Sequence, residues 1–324
     1  MKSLWREILL SLCMGLILPG IVMNWSVGEG ESTSSETQEA QISTSSTETR
    51  ENLTMKLRGQ DGTVVLDMDE YLVGVLLGEM PADFEPEAKK AQAVVARTFT
   101  RRAWVTGGKH GDGSVCADSG CCQAYLPPEE YISRGGNAEA VASARAAVEA
   151  TSGLVLTYEG NLIEATYFSC SGGSTEDAVA VWGTDVPYLR AVDSPGEEGA
   201  AHYSDTLSFT VGEIQNKLGV SLTGAPENWI GKATYTAGGG IETLIIGGKI
   251  FTGTQIRQKL GLRSTAFTVS ANVEGVAFVT KGFGHRVGMS QYGADAMAVA
   301  GSTFEEILAH YYRGTTLELT KDVT

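Results

Sequence analysis

At 324 residues, 42% hydrophobic and 19% charged, the chain has a globular composition and is long enough to bury one large core or two. Its net charge of -15 removes the overall basic character that draws proteins to nucleic acid or anionic lipid, so nucleic-acid binding is disfavoured.

Lys2 and Arg6 precede an uncharged apolar run over 8–23. That is just enough for a bilayer, which takes roughly 17 to 25 residues, and the basic flank orients the amino end toward the cytoplasm. A cleaved signal peptide is the alternative, but the run ends in Val22-Met23-Asn24-Trp25 with no small-x-small site. Residues 1–25 are therefore read as a retained N-terminal membrane anchor. The Ser-, Thr- and Glu-rich stretch 26–52 cannot bury enough apolar surface to order itself and reads as a tether. The folded domain is expected over 53–324.

Segments 53–57 and 63–68, separated by Gly59-Gln60-Asp61-Gly62, predict a β-hairpin, with Asp67 or Asp69 capping a helix over 71–79. Glu79 ends that helix, after Val73, Val75, Leu76 and Leu77 and before Pro81. A Glu at a helix end is ordinarily a solvated surface group. At the end of a mostly buried element, however, desolvation raises a carboxyl pKa and suits the group to general-acid work. Pro86 opens a second helix, 86–104, in which Ala88, Ala91, Val94, Val95, Thr98 and Phe99 recur at helical spacing. Gln92 and Arg97 lie off that stripe and are expected on a solvated face.

The glycine-rich loop that follows holds His110, Cys116, Cys121 and Cys122, soft ligands of the kind that grip zinc tetrahedrally. A disulfide of Cys116 with Cys121 or Cys122 is the alternative outside the cytoplasm, and it leaves an odd thiol. Four protein ligands would close the site, so the metal reading is a structural clip.

A helix over 137–151 and a hairpin, 154–158 with 162–168, deliver the polar loop Ser169-Cys170-Ser171-Gly172-Gly173-Ser174-Thr175-Glu176. Cys170 with His285 is a conceivable nucleophile pair, but nothing adjacent would lower the thiol pKa. Short helices over 210–218 and 254–260 flank a glycine-rich region, and Gly247-Gly248 suggests a hairpin turn. His202 and Glu213 read as surface residues. Strands 267–273 and 276–281 lead into Gly284-His285-Arg286-Val287-Gly288-Met289-Ser290-Gln291, a loop expected to become a helix at 294–300. A last helix, 304–312, carries His310 as a structural residue.

Taken together, Gly78-Glu79-Met80-Pro81, Tyr167-Phe168-Ser169-Cys170-Ser171-Gly172-Gly173 with Thr175-Glu176, Val181-Trp182, Thr252-Gly253-Thr254 with Arg257, and the stretch from Gly284 to Ala294 resemble the stage II sporulation protein D (SpoIID/LytB) family. The likeness runs in the family's order from Leu53 to Leu319. The resemblance implies a cell-wall lytic transglycosylase in which Glu79 is the catalytic acid. Its substrate would be peptidoglycan glycan strands stripped of stem peptides, cut at the β-1,4 bond from N-acetylmuramic acid to N-acetylglucosamine. It further implies action in engulfment with a SpoIIP-like amidase and a SpoIIM-like membrane protein, outside the cytoplasm at the septal membrane of a sporulating bacterium. Tyr167, Ser169, Ser171, Thr175, Glu176, His285, Ser290 and Gln291 become the expected glycan-groove residues. Zinc-binding members place a His and Cys loop where His110, Cys116, Cys121 and Cys122 stand, with His-Cys in place of Cys121-Cys122.

A single carboxyl suits this chemistry, because the sugar's own 6-hydroxyl replaces the second carboxylate or bound water of ordinary glycosidases. A non-catalytic glycan-binding scaffold and a zinc hydrolase at His110 and the cysteines are the other readings. The expected architecture is α+β, one elongated catalytic domain with a smaller insertion around 210–263.

Overall fold

The computed structural model describes residues 53–320. The expected anchor and tether lie outside these residues. Among the described residues no helix is long and apolar enough to cross a membrane.

β1 (Thr54–Gly59) and β2 (Gly62–Asp67) form the expected antiparallel hairpin. Of the two aspartates, Asp67 caps α1 (Met68–Glu79), its Oδ1 accepting the N–H groups of Asp69 and Glu70 at 2.9 and 3.1 Å. Every residue from Tyr71 to Leu77 is buried, so α1 is a core helix on all sides. α2 (Pro86–Thr106) begins on Pro86 and stops at Gly107, which takes the left-handed conformation of a helix C-cap. Its Ala91, Val94 and Val95 join one core with Leu156, Met289 and Ile307, while Ala93, Ala96 and Ala103 join a second core with α1.

Burial on both faces overturns the expectation for Gln92 and Arg97, which are both fully buried. After β3 (Val115–Cys116), which runs parallel to β1, and α3 (Pro128–Ser133), the chain forms α4 (Ala138–Ala150), capped by Asn137. Arg97 donates to the carbonyls of Val148, Thr151 and Leu154 at 3.3, 2.8 and 3.3 Å and pairs with Asp69 at 3.2 Å. Its guanidinium thus satisfies the carbonyls that end α4, which no pattern local to α2 reveals. The Gln92 amide has no partner among the described residues.

β4 (Leu154–Tyr158) pairs with β5 (Asn161–Leu162) over two residues only, so the expected long hairpin is broken. The chain leaves that ladder, and β6 (Tyr167–Phe168) pairs in parallel with Met289 and Ser290 instead. β7 (Gly173–Ser174), α5 (Ala178–Trp182) and β8 (Asp193–Ser194) follow, with β7 antiparallel to β8.

The insertion is wider than 210–263. It contains β9 (Ser204–Thr210), α6 (Val211–Leu218), β10 (Ile230–Tyr235), β11 (Ile241–Ile246), β12 (Lys249–Thr252), α7 (Gly253–Leu260), β13 (Phe267–Asn272) and β14 (Gly275–Lys281). β9 pairs with β14 across its base, and Ile214, Leu244, Ile256 and Phe278 share a core separate from the other two. Thr210 and Thr252 start the two helices with capping boxes.

β15 (Met289–Ser290), α8 (Gln291–Val299), α9 (Phe304–Tyr311) and β16 (Thr316–Leu319) complete the fold, β16 pairing antiparallel with β4. α8 starts three residues earlier than expected because Ser290 caps it, its Oγ accepting Gly293 N–H at 3.2 Å. The architecture is mixed α+β, as the sequence predicts.

Arg286 and Glu176, both buried, fasten the insertion to the rest. Arg286 pairs with Glu176 at 3.0 Å and donates to the carbonyls of Ser171, Ser174 and Gly238 at 2.8, 2.6 and 2.8 Å. The same Glu176 oxygen accepts Thr236 Oγ1–H at 2.8 Å and Gly240 N–H at 3.0 Å. Glu176→Gln strands a buried guanidinium without its counter-charge. The expected cost is about 3–5 kcal/mol, measured as a lower urea midpoint.

Candidate active site

Three distant segments close on Glu79. Its Oε1 accepts Ala124 N–H at 2.6 Å and Tyr167 Oη–H at 3.1 Å, and its Oε2 accepts the Gln291 amide at 3.4 Å. Two glycines of α1 make the first approach feasible. A Cβ at Gly78 would meet the Ala124 and Tyr125 backbone at 3.1–3.2 Å, and one at Gly74 would meet the Tyr125 ring at 2.4 Å. Residues 124–126 therefore lie in a slot along α1, with Leu126 N–H on the Gly74 carbonyl at 3.0 Å. Fully buried Gln123 fixes the segment further: its amide donates to Tyr71 Oη at 3.1 Å and Thr100 Oγ1 at 3.0 Å, and its carbonyl lies 3.3 Å from Tyr167 Oη.

Glu79 has no cationic partner, and burial raises its pKa against the opposing pull of the Ala124, Tyr167 and Gln291 donors. Tyr167 is pushed well above the ordinary phenol value, by burial first and by the Glu79 charge second, so it stays a donor. Burial thus biases this carboxyl group toward its protonated form, and three donors are in place for its anion.

Glu79 opens on a groove of about 710 Å³ that also contains Tyr167, Ser169, Trp182, His285 and Gln291. Trp182 and Phe283, 44% and 40% exposed, give it two aromatic surfaces. His285 leans on Phe168 and Trp182, with ring centroids at 5.6 and 5.4 Å. Its pKa is pushed down to about 4, by burial first and by the nearby Arg257 charge second, so it is neutral at pH 7.

Ser171, Thr175, Glu176 and Ser290 are also expected in the groove, and the structure places them inside the protein instead. Glu176 serves Arg286. Thr175 Oγ1 accepts Val192 N–H at 2.9 Å. Ser171 and Ser290 donate to Glu197, a buried acid in the loop before β9 that nothing in the local sequence marks. Its Oε2 accepts from Ser171 N–H, Ser171 Oγ, Gly172 N–H and Cys170 Sγ at 2.7–3.1 Å, and its Oε1 from Ser194 and Ser290 Oγ at 2.7 and 2.6 Å. Burial and the Glu197 charge push the Cys170 thiol up to about 12, which removes it as a nucleophile.

His110, Cys116, Cys121 and Cys122 converge, their ligand atoms all within 4.8 Å of one another. His110 Nε2 lies 3.8 Å from Cys121 Sγ and 3.6 Å from Cys122 Sγ, and the two sulfurs are 3.9 Å apart. Ligand atoms around a tetrahedral zinc stand about 3.6 Å apart for N and S and about 3.8 Å for two sulfurs. The donor set therefore fits zinc. The cysteines are free thiols, not a disulfide.

The family model described as SpoIID, stage II sporulation protein, matches residues 58–158. Stage II sporulation protein D of Bacillus subtilis (strain 168) is 42% identical over 255 residues, covering 77% of this chain and 74% of the relative. The chain belongs to the SpoIID family. The Bacillus amyloliquefaciens member is likewise 42% identical, over 254 residues that cover 77% of this chain and 73% of the relative. The SpoIID family likeness extends at 29% identity to a B. subtilis protein named amidase enhancer, covering 76% of this chain and 40% of that one.

Because its pKa is raised from 4.5, Glu79 binds a proton more tightly folded than unfolded. Its contribution to stability is thus fully present below about 4.5 and is lost as pH rises through the folded value. Glu79→Gln, which keeps an acceptor for Ala124 N–H, is expected to match or exceed the wild-type urea midpoint at pH 7. The excess should vanish by pH 4.

Proposed function

We propose that the protein is a lytic transglycosylase acting on peptide-stripped glycan strands, with Glu79 as its single acid and base. The observation that supports this is a buried, uncompensated carboxyl group with three aligned donors, set in a groove with aromatic walls. Glu79 protonates the glycosidic oxygen as the bond from C1 of N-acetylmuramic acid breaks. The resulting carboxylate is steadied by Ala124 N–H, Tyr167 and Gln291, then takes the proton of the sugar's 6-hydroxyl as that oxygen closes on C1. The product is a 1,6-anhydro end, and the acid is regenerated. Glu176 and Glu197 are both committed to internal donors. Trp182 and Phe283 give the sugar faces an apolar platform.

We further propose that His110, Cys116, Cys121 and Cys122 hold a zinc ion. When bound it would cross-link the loop from β3 to Gln123 and add rigidity rather than reactivity. The relative named an amidase enhancer supports a place beside an amidase that supplies peptide-free strands, here a SpoIIP-like enzyme, with a SpoIIM-like membrane protein as the second partner. The anchor and tether read from 1–52 would put the domain outside the cytoplasm, at the septal membrane in engulfment.

The full chain incubated with peptide-free strands is expected to give 1,6-anhydro ends by mass spectrometry. Glu79→Gln should lower the rate about 10²- to 10⁴-fold. Reducing ends in place of anhydro ends would mean hydrolysis by water, and glycan binding without product would leave a scaffold.

Tyr167→Phe removes a donor that favours the charged form of Glu79. The alkaline limb of the pH–rate profile should move to higher pH while kcat falls about tenfold. An unmoved limb would detach Tyr167 from the acid. Elemental analysis should find one zinc per chain, and a chelator should lower Tm; absence of both effects would overturn the metal reading.

A further inference from the structure

The groove contains a guanidinium without a counter-charge. In this acidic chain eight arginines of the described residues each pair with a carboxylate. Arg257 lines the groove with Trp182, Phe283 and His285, and its side chain makes neither an ion pair nor a hydrogen bond among the described residues. The two groove carboxylates are engaged elsewhere: Glu79 with its three donors, and Glu164 with Arg102 at 3.4 Å.

The helix that carries it is firmly anchored. α7 is pinned by buried Ile256 and Leu260, starts on the Thr252 capping box and ends on left-handed Gly261. The Arg257 carbonyl takes the N–H groups of both Gly261 and Leu262. Partial burial with no partner disfavours the charge, lowering the Arg257 pKa, and at His285 the charge adds to the burial that is the main cause of that ring's lowered pKa. A half-desolvated cation held this way is matched by an anion that arrives with the ligand. Lys109, whose ammonium donates to the Cys121 carbonyl, adds a second positive charge to the same groove.

We propose that Arg257 binds a carboxylate of the glycan itself, the lactyl carboxylate of muramic acid, and so selects strands from which peptide has been removed. The inference rests on the glycan reading above. A stem peptide is joined to the lactyl group as a neutral amide, whereas hydrolysis of that amide leaves a carboxylate. A planar guanidinium accepts a carboxylate through two parallel hydrogen bonds and gains little from an amide. The reaction that supplies this substrate is therefore an amide hydrolysis, and Arg257 reads whether it has happened.

The test uses the full chain carrying Glu79→Gln, so that binding is measured without turnover. Peptide-free strands, and the same strands with their lactyl carboxylates capped as methylamides, are titrated by calorimetry. Partners in the comparison are the double variants that add Arg257→Gln or Arg257→Lys. Capping is expected to weaken binding about tenfold or more when Arg257 is present, to have no effect with Gln, and to act partially with Lys. Equal binding of both strands by the Arg257 protein, binding of neither, or undiminished sensitivity to capping in Arg257→Gln would each overturn the proposal. Arg257 has no partner to lose, so the urea midpoint of Arg257→Gln should stay unchanged; if that variant fails to fold, Arg257→Lys carries the comparison. Anhydro product from wild type is scored in parallel. Product with binding indifferent to capping removes the role of Arg257 and leaves the transglycosylase, and binding sensitive to capping without product does the reverse.

Discussion

The buried guanidinium of Arg286 is the interaction on which the geometry of the groove depends. Four hydrogen bonds from its three nitrogens run into the glycine loop at Ser171, Ser174 and Glu176 and into the insertion at Gly238. Arg286 adopts a left-handed backbone, φ 65°, at a cost of about 1 kcal/mol or more for a residue with a side chain. That conformation turns the chain between His285, which faces the groove, and Val287, which is buried. It also sets the register in which Met289 and Ser290 pair with Tyr167 and Phe168. Tyr167 lies in that pairing and Gln291 directly follows it, and both reach Glu79. An ion pair remote from the reacting atoms thus fixes where the acid finds two of its three donors.

Three buried or half-buried glutamates show how environment divides one residue type into different tasks. Glu176 faces a guanidinium and acts as a fastener. Glu197 collects six donors from the glycine loop, Ser194 and Ser290, and organises a segment that has little apolar surface of its own. Glu79 has neither a cation nor a full set of donors, and desolvation prevails. A cation beside it would lower its pKa. Arg257 and Lys109 line the same groove, yet neither pairs with Glu79 among the described residues.

The legible parts of this fold were those governed by local chemistry. The first hairpin, the Pro86 start of α2, the turn at Gly247-Gly248 and the pairing of β13 with β14 follow from period, turn residues and caps. The position of Glu79 at the end of an apolar helix was legible for the same reason. What sequence patterning missed depends on partners far along the chain. Arg97 looks solvated on its own helix, yet its three carbonyl partners lie 51 to 57 residues away. Ser171, Thr175, Glu176 and Ser290 look like ligand-binding groups because they are polar and clustered near glycines. The same polarity is what a glycine-rich loop needs to satisfy its own backbone when it is buried. Arg257 was visible as a residue, but its lack of a carboxylate is a property of the folded charge distribution alone.

The strength of the acid is consequently a property of the whole domain. Ala124, Tyr167 and Gln291 reach Glu79 from 45, 88 and 212 residues away, each carried by a different element. The first is held by the slot along α1 and by the segment that leaves the cysteine loop. The other two are held by the β6 and β15 pairing, which Arg286 and Glu197 brace from either side. Arg286 and Glu197 do not line the groove, and they act on Glu79 only through the donors they hold in place. Loosening one of them shifts the balance between desolvation and hydrogen bonding in the same direction, toward a carboxyl group that keeps its proton and gives it up less readily. Damage at these remote positions is therefore expected first in the titration of Glu79, because Ala124, Tyr167 and Gln291 donate directly to its carboxylate.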